Sequence, residues 1–187
     1  MTKILSWLIV IIAAALAVLG GSVISAQDKP QDKYTLKVPN GPAFSDFRGY
    51  EGWQTVTVSQ TEAANVIRVI LANPVMIKAF RAGIPGNGKP FPDGSKIAKI
   101  LWTPKKVTDA PFSASTPDTM VDTLKAVEFI EKDSKRFPDT HGWGYAEFAY
   151  DAASDTFKPA VSDAKCGAKC HELAAAKDYI FNAYARR

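Results

Sequence analysis

The spacing of apolar residues along this 187-residue chain changes several times, and each change marks a different kind of segment. From Ile4 to about Ile24 the run is apolar apart from Ser6, Ser22 and small glycines, and it ends at Ser25-Ala26 before Gln27-Asp28-Lys29. A basic start at Lys3, an apolar core and small closing residues predict a secretory signal peptide cleaved after Ala26. The core is long for a signal, and about 20 apolar residues span a bilayer, so residues 1–26 also fit an N-terminal membrane anchor. Both readings export the body of the protein. Residues 27–46 are rich in Pro, Asp, Lys and Asn and predict an extended linker with no core of its own.

From Phe47 the pattern becomes that of a folded domain, 47–187. Trp53 to Val58 is β-prone, and Ser59-Gln60-Thr61-Glu62 reads as a capping box opening a helix whose apolar face is Val66, Ile67, Val69, Ile70 and Leu71. Asn73-Pro74 interrupts it, and Pro74 starts a second short helix that stops near Gly83. Phe91-Pro92-Asp93-Gly94 is a turn, with glycine in the left-handed position, and a strand follows from Ser95 to Trp102. In that strand Ile97, Lys99 and Leu101 share one face, which sets a lysine between two aliphatics. Residues 103–119 read as a loop. Leu124 to Ile130 reads as a strand with a helical alternative. Trp143 to Tyr150, with aromatics in both phases, reads as a strand buried on both sides. Glu172 to Lys177 looks helical. Successive strands with helices in one early block and at the end predict an α+β fold, a mostly antiparallel β-sheet with a few short helices.

Composition adds two limits. Removing 26 residues leaves 161, enough for one domain with a core. Cleavage would take away Lys3 and no acid, moving the net charge from +4 to +3. The charges are scattered, with no basic run interleaved with aromatics, which argues against nucleic acid as a partner.

The densest chemistry lies at Cys166-Gly167-Ala168-Lys169-Cys170-His171, which holds both cysteines of the chain. Two cysteines followed directly by histidine form the attachment pattern of c-type haem, where thiols add to the vinyl groups and the imidazole reaches the iron. The usual spacing has two intervening residues. Three stand here, and Gly167 is suited to a local bulge that absorbs the extra one. A disulfide between Cys166 and Cys170 leaves His171 unexplained, and zinc lacks four ligands, since the only other histidine is His141, in a loop context suited to the surface.

Four ordered blocks then point to a family. Phe91-Pro92-Asp93-Gly94-Ser95-Lys96-Ile97-Ala98-Lys99, Lys132-Asp133-Ser134-Lys135-Arg136-Phe137, Gly142-Trp143-Gly144-Tyr145, and the haem motif with Ala176-Lys177-Asp178-Tyr179-Ile180-Phe181 closely resemble the cytochrome P-460 family, from about Phe47 to Arg187. The resemblance implies a periplasmic monohaem c-type cytochrome, commonly a homodimer, with one covalent haem, a proximal histidine at His171 and an open iron position. It also implies a small nitrogen compound as ligand or substrate and a soluble redox partner. Name-giving members oxidise hydroxylamine and link a lysine nitrogen to the haem ring. A sister group, the β form of cytochrome c-prime, lacks the link, lines its distal face with phenylalanines and binds nitric oxide. By strand position Lys99 is the candidate for the link, with Lys96, one face over, as a lesser one. Glu128, Glu131 and Glu147 are candidate proton acceptors, though a solvated strand face explains each equally well. Phe44, Phe47, Phe80 and Phe91 are the aromatics among which a distal residue would be sought.

Overall fold

The computed structural model describes residues 30–61, 63–108 and 118–184. The expected signal or anchor, 1–26, lies outside them. Among the described residues no helix is long and apolar enough to cross a membrane.

Six strands, β1 (Gln54–Thr61), β2 (Val66–Ala72), β3 (Lys96–Val107), β4 (Asp118–Lys132), β5 (Trp143–Asp151) and β6 (Thr156–Pro159), form one antiparallel sheet in chain order. Helix α1 (Pro74–Arg81) connects β2 to β3, and α2 (Lys165–His171) follows β6. Short 3-10 turns cover Lys33–Thr35, Phe44–Phe47, Tyr50–Gly52, Pro138–Thr140 and Glu172–Lys177. The expected α+β fold with a mostly antiparallel sheet is the fold observed.

Several boundaries differ from expectation for identifiable reasons. Val66 to Leu71, expected as a helix behind a capping box, is the interior strand β2, paired with β1 and β3. Its continuous apolar run fits a strand covered on both faces, and its β-branched residues are stiff in a way that favours strands. Asn65, in the left-handed region at φ 48°, turns the chain just before it. The expected loop 103–119 begins later and ends earlier, because β3 runs on to Val107 and pairs with β4 as far as Val107 opposite Asp118. Leu124–Ile130 is strand rather than helix. Asn73 caps α1, its carboxamide oxygen accepting from the Met76 amide at 3.0 Å, and Pro74 starts it as expected.

Alternation along the strands gives the sheet two different faces. On one, Phe44 and Phe47 from the N-terminal segment pack on Phe129, at centroid distances of 5.1 Å and 4.1 Å, with Leu71, Ala98, Val127 and Phe148 around them. Residues 31–46 therefore do contribute to the core: Val38 and Phe44 are 2 % and 0 % exposed. On the other face α1, Phe91 and the C-terminal segment through Ile180 cover Ile70, Ala72, Ile97, Trp143 and Tyr145.

The end of β4 carries two buried charges, one for each face. Glu131 pairs with Lys96 at 2.9 Å and with Arg136 at 3.1 Å, and Arg136 also reaches Asp46 at 2.9 Å. Lys132 pairs with Asp178 at 3.0 Å.

Candidate functional site

Beneath the second face lies a cavity of about 370 Å³. The sheet supplies Arg68 from β2, Lys99 from β3, Glu128 and Ile130 from β4, and Tyr145 and Glu147 from β5; α2 supplies Cys166, Cys170 and His171. Register explains the sheet side: Ile70, Lys99, Glu128 and Glu147 stand opposite one another in turn across four strands, and alternation turns that row toward the cavity. Phe181 joins from the C-terminal segment.

The Cys166 to His171 motif forms a turn and a half of α-helix, so the expected bulge is absent. At 3.6 residues per turn, a four-residue step leaves two side chains about 40° apart around the axis, so both cysteines stay on one helix face despite the third intervening residue. Both are free thiols and exposed, not joined to each other. Gly167 has a different role from the expected one. A Cβ there would stand 2.5 Å from the Tyr145 Cβ and 2.7 Å from its Cγ. The glycine lets α2 lie directly on β5. Overpacking of this kind typically costs about 1–3 kcal/mol, so Gly167→Ala is expected to lower stability by about 2 kcal/mol in thermal unfolding as α2 is pushed from the strand.

His171 is oriented by a backbone partner. Its Nδ1 lies 2.6 Å from the Tyr179 carbonyl oxygen, which can only accept, so Nδ1 carries the proton and Nε2 keeps its lone pair. Burial lowers the imidazole pKa, opposed by the Tyr179 carbonyl and reinforced by the charge of Lys99. Tyr145 and Phe181 flank the ring at centroid distances of 4.8 Å and 4.9 Å. A neutral imidazole with a donor nitrogen fixed to a carbonyl is the usual form of a metal-ligating histidine.

The donor set and its surroundings fit a covalent haem. Two accessible thiols share a helix face beside the oriented imidazole of His171, and Leu173 and Phe181, 88 % and 48 % exposed, offer apolar surface that a macrocycle would cover. Two polar atoms at the cavity, Tyr145 Oη and Arg68 Nε, are buried without a hydrogen-bond partner among the described residues. Burial, followed by the charge of Asp178, raises the Tyr145 pKa far above its ordinary value, so the phenol stays neutral. Among the described residues no group of three or more His, Cys, Asp or Glu is placed to hold a bare metal ion.

The remaining candidates divide cleanly. Lys99, Glu128 and Glu147 line the cavity. Lys99 is about one quarter exposed and forms an ion pair with Glu128. The Glu147 carboxyl is pushed above its usual range by burial first and then by the like charge of Glu128, with Lys99 pulling the other way. Glu131 and Lys96 pair with each other and are absent from the cavity lining, and the Lys96 ammonium donates to the Asp46 carbonyl at 2.7 Å. Phe44 and Phe47 belong to the opposite face, while Phe80 and Phe91 pack in the core near α1; none lines the cavity. His141 is exposed, in the left-handed region at φ 58°, and stacks on Tyr179 at 4.4 Å. Sequence reasoning missed Arg68, Tyr145 and Phe181 as lining residues. Arg68 carried a readable sign, being one charge inside an otherwise apolar run.

A six-stranded antiparallel sheet, with a C-terminal helix presenting two thiols and an oriented imidazole beside a cavity, is an α+β scaffold whose donor set fits a haem. A family model described as Cytochrome P460 matches residues 47–182, and the chain belongs to that family. Membership implies a haem cofactor. No curated protein matches the chain.

Proposed function

We propose that this chain is an exported monohaem c-type cytochrome that performs redox chemistry on a small nitrogen compound, with hydroxylamine oxidation as the activity. In this reading Cys166 and Cys170 carry the haem through thioethers and His171 Nε2 is the proximal ligand. When bound, the haem supplies a redox-active iron with one open position. The observation that carries the reading is the row of ionisable side chains, Lys99, Glu128 and Glu147, across the cavity. Oxidising hydroxylamine releases protons together with electrons, and a carboxylate whose pKa is raised toward neutrality is a suitable acceptor for them. Glu147 takes that role, with Glu128 holding Lys99 and adding the like charge that keeps Glu147 basic. A pocket that only holds a gas needs no such acceptors.

One observation favours the alternative, a noncatalytic nitric-oxide-binding or electron-transfer cytochrome. The Lys99 nitrogen is engaged by Glu128, and an ion-paired ammonium is not a nucleophile. In the proposed reading the link would join Lys99 Nζ to a haem-ring carbon in place of a hydrogen, releasing two protons and two electrons; Glu128 is adjacent to take the nitrogen's proton, and an external two-electron oxidant such as a peroxide takes the electrons. Mass spectrometry of haem peptides from the holoprotein is expected to find both thioethers and a Lys99 adduct. The ferrous Soret band is expected far to the red of an ordinary c-type spectrum, and Lys99→Leu should return it to the ordinary position. An unchanged spectrum in that variant, or wild-type haem attached by the cysteines alone, rules out the link. Turnover of hydroxylamine with an artificial electron acceptor separates enzyme from binder.

A further inference from the structure

The turn after α2 is held by an arrangement that the proposed chemistry does not use. Asp178 and Tyr179 occupy the left-handed region in succession, at φ 47° and 64°. That conformation is unfavourable for any residue with a Cβ, and most of all for a bulky one such as Tyr179. Backbone bonds from the Asp178, Tyr179 and Ile180 amides to the Ala175, Ala174 and Lys177 carbonyls close the turn, and the Asp178 carboxylate is fixed from three sides. The Phe91 amide donates to Oδ2 at 2.7 Å, the Lys132 ammonium donates to Oδ1 at 3.0 Å, and the Trp143 indole nitrogen approaches Oδ1 at 3.4 Å. Lys132 is itself pinned, donating to the His141 carbonyl at 3.1 Å and lying 4.9 Å over the Trp143 ring. The next residue along the chain presents the carbonyl that accepts from His171 Nδ1 at 2.6 Å.

We infer that Asp178, clamped by Lys132, is a positioning residue for His171: it fixes the strained turn so that the Tyr179 carbonyl holds the imidazole through Nδ1 and sets the electron donation of Nε2. A strong hydrogen bond at Nδ1 gives the ring partial imidazolate character and strengthens its bond to a metal, which stabilises the more oxidised state. Without the clamp the turn relaxes out of the left-handed region, the carbonyl swings away, and the imidazole donates less. The apolar anchor on the other side of Tyr179, Ile180, is 2 % exposed, so the turn has a fixed point from which to relax. The inference rests on the reading of His171 as the iron ligand.

The test uses the haem-loaded full chain and two variants. Asp178→Asn removes the charge while keeping an acceptor oxygen, and the double variant Lys132→Met with Asp178→Leu removes both charges together, so that no unpaired ion is left buried. Resonance Raman of the ferrous protein with and without 15N-histidine first locates the iron–histidine stretch. Its absence in wild type overturns the assignment of His171, independently of the clamp. With the band present, both variants are expected to shift it to lower frequency and to raise the reduction potential, the double variant more. In the haem-free protein, imidazole NMR is expected to show the His171 Nδ1–H exchanging about tenfold faster in the variants, since an opened turn exposes it. A merely structural role would lower thermal stability while leaving frequency, potential and exchange unmoved, and that result overturns the inference. Should the double variant fail to fold, Asp178→Asn decides alone by the same readings.

Discussion

Replacing Glu147 with glutamine is expected to lower hydroxylamine turnover about 100-fold, the lower range of what a positioned proton acceptor contributes. The pH profile tells this apart from a general disturbance. A proton acceptor works only when deprotonated, so activity should rise with pH through the Glu147 pKa, and burial together with Glu128 places that rise above the ordinary carboxylate value of 4.5. Glu147→Gln should abolish this acid limb. Glu128→Gln should move it to lower pH, because removing the like charge and freeing Lys99 both lower the Glu147 pKa. Wild-type pH dependence retained in Glu147→Gln would assign proton transfer to another group. The amide keeps the size of the side chain, so thermal unfolding of the variant should stay close to wild type.

The largest effect on stability is expected on the opposite face, at Glu131. Its carboxylate is 9 % exposed and receives both Lys96 and Arg136. Truncating one member of a buried ionic group leaves its partners without compensation, at a cost of about 3–5 kcal/mol. The Arg136 side chain is 40 % exposed and keeps Asp46, and Lys96 keeps the Asp46 carbonyl, so Glu131→Ala should fall at the lower end of that range, about 3 kcal/mol. For a domain of this size that corresponds to a fall of about 6–12 °C in Tm. Glu51→Ala, which breaks the more exposed pair with Lys33, should cost less than about 1 kcal/mol. Equal losses in the two variants, measured by calorimetry on the haem-free protein, would remove the distinction between structural and solvated charge. Because Glu131 lies off the cavity, its variant should keep the acid limb that Glu147→Gln loses.

These two glutamates mark how far the sequence could be read. The turn at Asp93-Gly94, the helix start at Pro74 and the doubly buried strand from Trp143 were legible because each rests on local chemistry: a left-handed glycine, a fixed φ, aromatics in both phases. The Val66 to Leu71 segment was not, because a continuous apolar run has no period, and only its neighbours β1 and β3 make it a strand. Burial of Val38 and Phe44 was equally hidden, since isolated apolar residues among polar ones gain their partners from strands some 80 or more positions away. Within the site, the cysteines and His171 declared themselves by spacing. Separating Glu147 from Glu131 needed register: along β4 an odd offset from Glu128 sends Glu131 to the other face, and pairing with β5 brings Glu147 opposite Glu128.

The aromatic packing of Phe44, Phe47 and Phe129 is completed by protein alone, with no cofactor surface needed to close it. The sheet thus has a core that protein side chains close by themselves on the face opposite Lys99, Glu128 and Glu147. Because Lys99, Glu128 and Glu147 are no part of that packing, they can be exchanged while the aromatic core keeps its partners.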